Sequence, residues 1–155
     1  MREQNAADLF AFFNEIGIIE QLARALLEAQ LPDGLIAPHF TVLNHLTRLG
    51  DGRAPIDMAR AFQVPKTTLT HTLKGLQERG LIALRPNPAD GRSKLVYLTK
   101  AGETLHAQVI ADLGPDLERI SRHVDSHRLQ QIVPLLREVR VFLDNERNQD
   151  LAPER

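Results

Sequence analysis

The sequence contains no cysteine among its 155 residues, which excludes disulfide scaffolds, thiolate metal sites and cysteine nucleophiles. It also lacks any apolar run of about 18 residues, the length that a membrane-spanning helix needs, so we expect no membrane partner. Glu3 and Asp8 precede the first apolar stretch and predict that there is no secretory signal. Phosphate-binding glycine loops and the common hydrolase motifs are missing as well. We therefore expect a cytoplasmic protein that is not an enzyme and needs no cofactor.

Charge is nearly balanced over the whole chain, with a net charge of −1, but it is unevenly distributed. Segment 53–94 contains eight basic and three acidic residues and so carries +5, which leaves −6 for the rest of the chain. A basic middle between acidic flanks is typical of a DNA-contacting module on a separate scaffold. Chance clustering is the alternative, and charge alone does not decide between the two.

Apolar spacings of three and four residues predict a mainly helical protein. The predicted helices cover 8–29, 38–49, 55–62 and 65–79, and two more begin near 100 and at 125 or 126. The short pair at 55–62 and 65–79, joined by a tight turn, is a helix-turn-helix candidate. Strands are predicted at Leu81–Arg85 and Leu95–Leu98, with a long basic loop of turn-forming residues between them. A helix-turn-helix followed by such a hairpin predicts a winged helix, so the fold class is mainly α with a small β-wing.

The helix predicted at 65–79 has two different faces. One carries Leu69, Leu73 and Leu76 and must face the core. The other presents small hydroxyls, an imidazole and a lysine, which can reach base edges and phosphates in a major groove. Its candidate DNA-contacting residues are Lys66, Thr67, Thr68, Thr70, His71 and Lys74. An ordinary solvated polar face is the alternative. Gly75 weakens a helix, so its presence suggests a close approach to another group.

The predicted loop between the two strands supplies a second set of candidate DNA contacts. It includes Arg85, Asp90, Arg92, Ser93 and Lys94. Arginine suits a narrow minor groove because the negative potential there attracts it. Asp90 would repel phosphate, so we expect it to pair with an arginine and shape the loop. A basic hairpin without a DNA-binding role is the alternative.

Several spaced motifs resemble the MarR (multiple antibiotic resistance regulator) family. They are Gly80-Leu81-Ile82, then Arg85-Pro86-Asn87-Pro88-Ala89-Asp90-Gly91-Arg92, then Leu98-Thr99-Lys100-Ala101-Gly102, with Val64-Pro65-Lys66-Thr67-Thr68-Leu69-Thr70 upstream. The resemblance covers residues 38–102 by motif and the other helices by order and length. One departure is His71, where an arginine or lysine often stands in the family, and it affects the expected base preference.

The resemblance implies a homodimeric regulator that binds pseudo-palindromic double-stranded DNA. It implies one MarR-type domain over 1–155, with a DNA-binding lobe at 36–99 and a helical dimerisation region at 5–31 and 100–148. The candidate residues of the helix at 65–79 would enter the major groove, and Arg92 the minor groove, with Asp90 positioning the loop. A small effector, for which aromatic compounds are candidates, would bind in a pocket and so release the protein from DNA. The candidate lining residues of this pocket are Phe13, Ile16, His39, Phe40 and Leu43.

Packing also predicts a dimer, independently of the resemblance. The terminal helices carry more apolar surface than one lobe can cover, and each large side chain left in water costs about 1.5–3 kcal/mol. A second copy related by a two-fold axis is the commonest way to cover such a stripe. The candidate interface residues are Phe12, Ile19, Leu129, Ile132, Leu136, Val139 and Leu143. A monomer whose helices pack only on each other is the alternative.

The six histidines raise the question of a metal site. Glu20, His39 and His106 fall at places that loosely match those of zinc-sensing relatives of the MarR type, but Ile110 follows His106 by one turn where a ligand would be needed. We expect no metal. Two functional hypotheses remain, a ligand-responsive DNA-binding regulator that acts as a repressor, and a winged-helix small-molecule-binding or protein-interaction module that no longer reads DNA.

Overall fold

The computed structural model describes residues 2–150, and the side chains of residues 4–147. The elements are α1 (Arg2–Glu28), α2 (Ala37–Leu49), α3 (Pro55–Ala61), α4 (Lys66–Glu78), β1 (Ile82–Asn87), β2 (Asp90–Leu98), α5 (Lys100–Ser121) and α6 (Ser126–Asp150). This is a helical protein with one two-stranded antiparallel sheet, which confirms the predicted fold class. The chain divides after Leu113 into two compact units, and the division falls within α5.

The first helix is longer than predicted. It begins at Arg2 rather than near Asp8, because four of residues 3–7 are good helix formers and none of the five is a glycine or a proline. The end of α2 follows the prediction, since Gly50 adopts φ +85° directly after it. Only glycine takes up this conformation without strain.

The core of the first unit lies between α2, α3, α4 and the hairpin. Its fully or almost fully buried side chains include Leu43, Leu46, Met58, Leu76 and Val96. The predicted inward leucines of α4 are among the core residues, with Leu69, Leu73 and Leu76 each at most 3% exposed. This packing fixes which face of α4 points outward. The turn before α4 contains Gln63 at φ +59°, a left-handed backbone conformation that residues other than glycine rarely adopt.

The hairpin corrects the predicted strand lengths. Pairing continues from Ile82↔Leu98 out to Pro86↔Lys94, with an irregularity between Pro86 and Asn87. Only Pro88 and Ala89 form the turn, so the long basic loop expected over 86–94 is mostly strand. Proline is tolerated in this strand because the irregularity follows it directly. The hairpin β1–β2 is called the wing below, and α4 the recognition helix.

Candidate nucleic-acid interface

The recognition helix presents a continuous polar surface. Its buried side is completed by Thr72, which is 7% exposed. The six side chains predicted to contact DNA are all exposed, namely Lys66, Thr67, Thr68, Thr70, His71 and Lys74. The helix therefore brings together on one face the set that the sequence singled out.

Hydrogen bonds within the helix determine what this face can offer. The Thr70 hydroxyl donates to the carbonyl of Lys66 over 2.8 Å, so its oxygen remains available only as an acceptor. Lys74 lies 3.7 Å from Glu78, with both side chains about two-thirds exposed or more. Exposed pairs of this kind contribute little, so the Lys74 ammonium can exchange Glu78 for a phosphate at small cost.

The tip of the wing is held by its own side chains. Oδ1 of Asp90 accepts a hydrogen bond from the backbone N–H of Arg92 over 3.1 Å. Ser93 donates from its hydroxyl to the carbonyl of Asp90 and accepts from Nδ2 of Asn87 over 3.0 Å. Asn87 also accepts the N–H of Ala89 through Oδ1. The tip is thus shaped by polar side chains that bond to the backbone and to one another.

Asp90 does not pair with an arginine as predicted. Within the described part of the chain it forms no ion pair, and it shapes the loop through the Arg92 backbone instead. The reason is local, because a short side chain reaches the N–H two residues later more easily than a guanidinium that extends outward. Arg92 and Lys94 are exposed and likewise have no ion-pair partner among residues 4–147. Their charge is available to a ligand.

Arg85 lies in the middle of β1 and not at the tip of the wing. It pairs with Leu95 across the hairpin, and its guanidinium carbon stands 4.6 Å from the centre of the Tyr97 ring. Such a cation–π contact holds the side chain against the sheet. Asp51 was missed by the sequence reasoning. Its Oδ1 accepts the backbone N–H of Leu98 over 2.7 Å and ties the wing to the turn after α2. No periodicity or motif signals such a long-range bond.

The close approach expected at Gly75 is made within the chain. A Cβ on Gly75 would lie 2.9 Å from Nε2 of His39 on α2. Gly75 therefore makes room for a neighbouring helix, and its presence says nothing directly about DNA. The imidazole of His39 is half-buried, and burial, followed by the charge of Arg79, lowers the pKa of His39.

The five residues predicted to line a ligand pocket occupy different environments. Leu43 is fully buried in the core, and Phe40 stacks on His106 with ring centres 5.2 Å apart. Phe13 and Ile16 lie exposed on α1. A cavity of about 420 Å³ lies instead between α1, α2 and the recognition helix. It is lined by Glu20, Ala23, Arg24, Leu27, Ala37, Pro38, Thr41, Phe62, Val64, Thr68, Leu69 and Thr72. None of the five predicted residues lines this cavity.

The residues weighed for a metal site each have other partners. Glu20 forms an ion pair with Arg24. His39 accepts the Ile36 N–H, and Nε2 of His106 lies 3.2 Å from Oδ1 of Asn44. In the described ranges, no three His, Asp or Glu side chains come close enough to hold a metal ion. Among the same residues, no helix has the length and apolar character required to cross a membrane.

The residues predicted for a dimer interface lie on apolar surfaces of α1 and α6. Ile19 on α1 is 60% exposed, and Ile132 and Leu143 on α6 are each 47% exposed. Leu129 and Leu136 are exposed as well, while Phe12 and Val139 are half-buried. Large apolar side chains rarely stay in contact with water over whole helix faces, so each helix has a surface that needs a cover.

Comparison with known proteins finds similarity to one family. Residues 33–93 match the family model described as the MarR family. A mutant of MarR from E. coli complexed with operator DNA is similar in structure, with a TM-score of 0.73 and 25% identity over 85% of this chain and 95% of that chain. The wild-type MarR from E. coli in its apo form gives 0.68 and 27% identity over 81% and 94%.

BpsR of Bordetella bronchiseptica is also similar in structure. Its structure was solved to explain how 6-hydroxynicotinic acid regulates the DNA binding of BpsR. The TM-score is 0.70, with 25% identity over 83% of this chain and 98% of that chain. The matched region of the family model contains the recognition helix and most of the wing.

Proposed function

We propose that the chain is a transcription regulator of the MarR family and that it acts as a repressor that binds pseudo-palindromic operator DNA as a homodimer. The observation that carries this proposal is the pair of exposed surfaces on the DNA-binding lobe. The recognition helix exposes hydroxyls, an imidazole and two lysines, and the wing exposes Arg92 and Lys94 without ion-pair partners in the described residues.

In this proposal the two surfaces have different tasks. The recognition helix enters the major groove, where Thr67, His71 and Lys74 face base edges and phosphates. The wing places Arg92 in the minor groove, whose narrow, electronegative form attracts arginine. Asp90 keeps the Arg92 backbone in place through the hydrogen bond between Oδ1 and the N–H. Because the tip of the wing is already ordered in the free protein, little conformational entropy is lost there on binding.

The homodimer of this proposal covers the exposed apolar faces of α1 and α6 with those of a second copy. Burying one large aliphatic side chain contributes about 1.5–3 kcal/mol, and each copy offers several such side chains. A two-fold axis sets two recognition helices about 34–36 Å apart, one turn of DNA, and so requires two inverted half-sites.

Release by a small effector is the third part of the proposal. The cavity of about 420 Å³ has mostly apolar walls, with the Glu20–Arg24 pair at one side. It suits a small molecule with an apolar, aromatic body and one polar end. Thr68, Leu69 and Thr72 belong to both the cavity wall and the recognition helix. A ligand that needs more room than the free cavity gives therefore shifts the helix that reads DNA.

A salt titration tests DNA binding. Several phosphates per dimer should be neutralised, so affinity for promoter fragments should fall by about 10³-fold or more between 50 and 200 mM salt. Arg92→Ala should weaken binding to all related DNA sequences by a similar amount, about 1–3 kcal/mol. Absence of salt-sensitive binding to any fragment from the same genome would contradict the proposal. If a ligand bound the cavity in that case, the second hypothesis, a small-molecule-binding module that no longer reads DNA, would replace it.

A thermal-shift screen of small aromatic metabolites tests the effector. A compound that raises the melting temperature should also displace the dimer from its DNA fragment. A compound that stabilises the protein and leaves the DNA complex unchanged would show that the cavity does not control binding.

A further inference from the structure

His39 contacts the recognition helix at the one position of that helix without a side chain. A Cβ on Gly75 would lie 2.9 Å from Nε2 and 3.6 Å from Cδ2 of His39. Real Cβ atoms essentially never lie under 3.0 Å from another atom, so an alanine here would require the His39 ring or one of the two helices to shift. Glycine is unfavourable inside a helix, but here the absence of a side chain permits the close packing of α2 and α4.

The imidazole of His39 is held in place from its other side. Nδ1 accepts the backbone N–H of Ile36 over 3.1 Å at the start of α2. A ring nitrogen accepts only when it carries no proton, so this bond requires neutral histidine with its proton on Nε2. The ring cannot swing away from Gly75 without breaking that bond. Burial and Arg79 lower the pKa of His39 and so favour the neutral form.

The charges around His39 do not compensate for its protonation. Arg79, directly after the recognition helix, acts on the imidazole with its positive charge, and His71 of that helix is a second basic group nearby. Arg79 donates to the carbonyl of Asp33. The carboxylate of Glu28, on α1, accepts the N–H of Ala37 over 2.8 Å. Protonation would therefore add a positive charge near that of Arg79 and would leave the Ile36 N–H without its acceptor.

We propose that neutral His39 is a positioning residue for DNA recognition. It sets the distance between α2 and α4 through its contact with Gly75. Acidification removes the Nδ1 acceptor, frees the ring and disturbs the placement of the recognition helix. Sequence-specific binding then weakens, although the added positive charge alone would strengthen binding to any DNA. This inference rests on the proposed DNA-binding function.

A double-mutant cycle tests the contact without DNA. His39→Asn keeps an acceptor oxygen near the position of Nδ1 but lacks the ring atoms beside Gly75. We expect Gly75→Ala to lower the melting temperature by about 3 °C or more in the native background, and to raise it in the His39→Asn background, where alanine improves the helix. Gly17→Ala is the matched control, because Gly17 also lies inside a helix and a Cβ there meets no other described atom within 4 Å. It should raise the melting temperature in both backgrounds.

The same variants test the effect on DNA recognition. In the native background, Gly75→Ala should weaken operator binding at least about ten-fold, while binding to random DNA changes by less than about two-fold. In the His39→Asn background, Gly75→Ala should change operator binding by less than about two-fold, since additivity fails for residues in contact. Equal effects of Gly75→Ala in both backgrounds, on melting temperature and on affinity, would overturn the proposal.

A pH comparison tests the protonation step. Between pH 7.5 and 5.5, operator affinity of the native protein should fall several-fold relative to His39→Asn. An unperturbed pKa of about 6.5 limits the fall to roughly ten-fold per subunit, and so to roughly 100-fold for the dimer. The same comparison in a His71→Gln background removes the contribution of His71, which acts on His39. Parallel pH profiles would overturn the proposal. Failure of all proteins to bind DNA would refute the proposed function, while the melting-temperature cycle would still decide whether His39 positions α4.

Discussion

Replacement of Asp90 separates two roles that a carboxylate at the wing tip can have. In the structure its Oδ1 accepts the N–H of Arg92 over 3.1 Å, and in the described residues it has no ion-pair partner. Asp90→Ala removes the acceptor and the charge together. Asp90→Asn keeps an acceptor oxygen in the same place and removes only the charge.

The magnitudes follow from this geometry. A hydrogen bond of this kind contributes a net 0.5–1.5 kcal/mol, roughly two- to thirteen-fold in affinity if the bond is needed to place Arg92. Against that, a phosphate assumed to lie about 7 Å from the carboxylate would repel it by about 0.6 kcal/mol in water, roughly three-fold in affinity. For each wing of the dimer, Asp90→Asn should therefore tighten DNA binding by up to about three-fold relative to the native protein. Asp90→Ala should bind less tightly than Asp90→Asn by roughly two- to thirteen-fold per wing.

Fluorescence anisotropy with a labelled operator measures both affinities. Repetition from 50 to 200 mM salt separates the electrostatic effect of the Asp90 charge from the effect of its hydrogen bond on the geometry of the wing. The advantage of Asp90→Asn should shrink as salt screens it, while the gap between the two variants should persist. Equal weakening by both variants would show that the negative charge itself is required, and equal tightening would show that the hydrogen bond to Arg92 is irrelevant. Unchanged melting temperatures confirm that the lobe is intact.

Three further predictions concern stability and assembly. In Gly102→Ala, the new Cβ would overlap the Leu81 carbonyl oxygen, so calorimetry should show a loss of about 1–3 kcal/mol, and a rise in melting temperature would refute the packing described. Leu136→Asp should shift the mass in light scattering from twice the chain's 17.4 kDa toward the monomer and abolish operator binding, and an unchanged mass would exclude this residue from the interface. Burial lowers the pKa of His45 and of His106, so both side chains are protonated more readily in the unfolded chain than in the folded one. The free energy of unfolding that is present above about pH 6.5 should therefore decrease as the pH falls below this value. Urea titrations of His45→Asn and His106→Asn should show a smaller decrease, and an equal decrease would contradict this attribution.

The recognition helix could be predicted from the sequence because periodicity alone determines its orientation. Leu69, Leu73 and Leu76 recur at helical spacing, so their burial fixes the opposite face, and the structure exposes the predicted residues there. The order of elements was also predictable, since Gly50 and the turn residues between helices mark their ends. The strands of the wing were harder to predict. Turn-forming residues over 86–94 concealed strand pairing that depends on the partner strand and on an irregularity at Pro86.

The cavity and the contact of His39 with Gly75 could not be read from the chain in the same way. The cavity takes its lining from three helices and the turn before α4, and no local pattern records which side chains meet there. Gly75 did signal a close approach, but the identity of the neighbour depends on how α2 packs on α4. Asp51 likewise contacts the wing 47 residues later in the chain, a distance at which local propensity gives no information.

Selection of binding sites from a random DNA library is the decisive test of symmetric operator binding. We predict enrichment of an inverted repeat whose half-sites are centred about 10–10.5 base pairs apart, because a two-fold dimer presents two recognition helices one turn apart. With His71→Ala, the preference should relax at particular positions of each half-site, whereas Arg92→Ala should return the same sequence with lower affinity. Enrichment of no sequence, or of a single site without symmetry, would contradict the account.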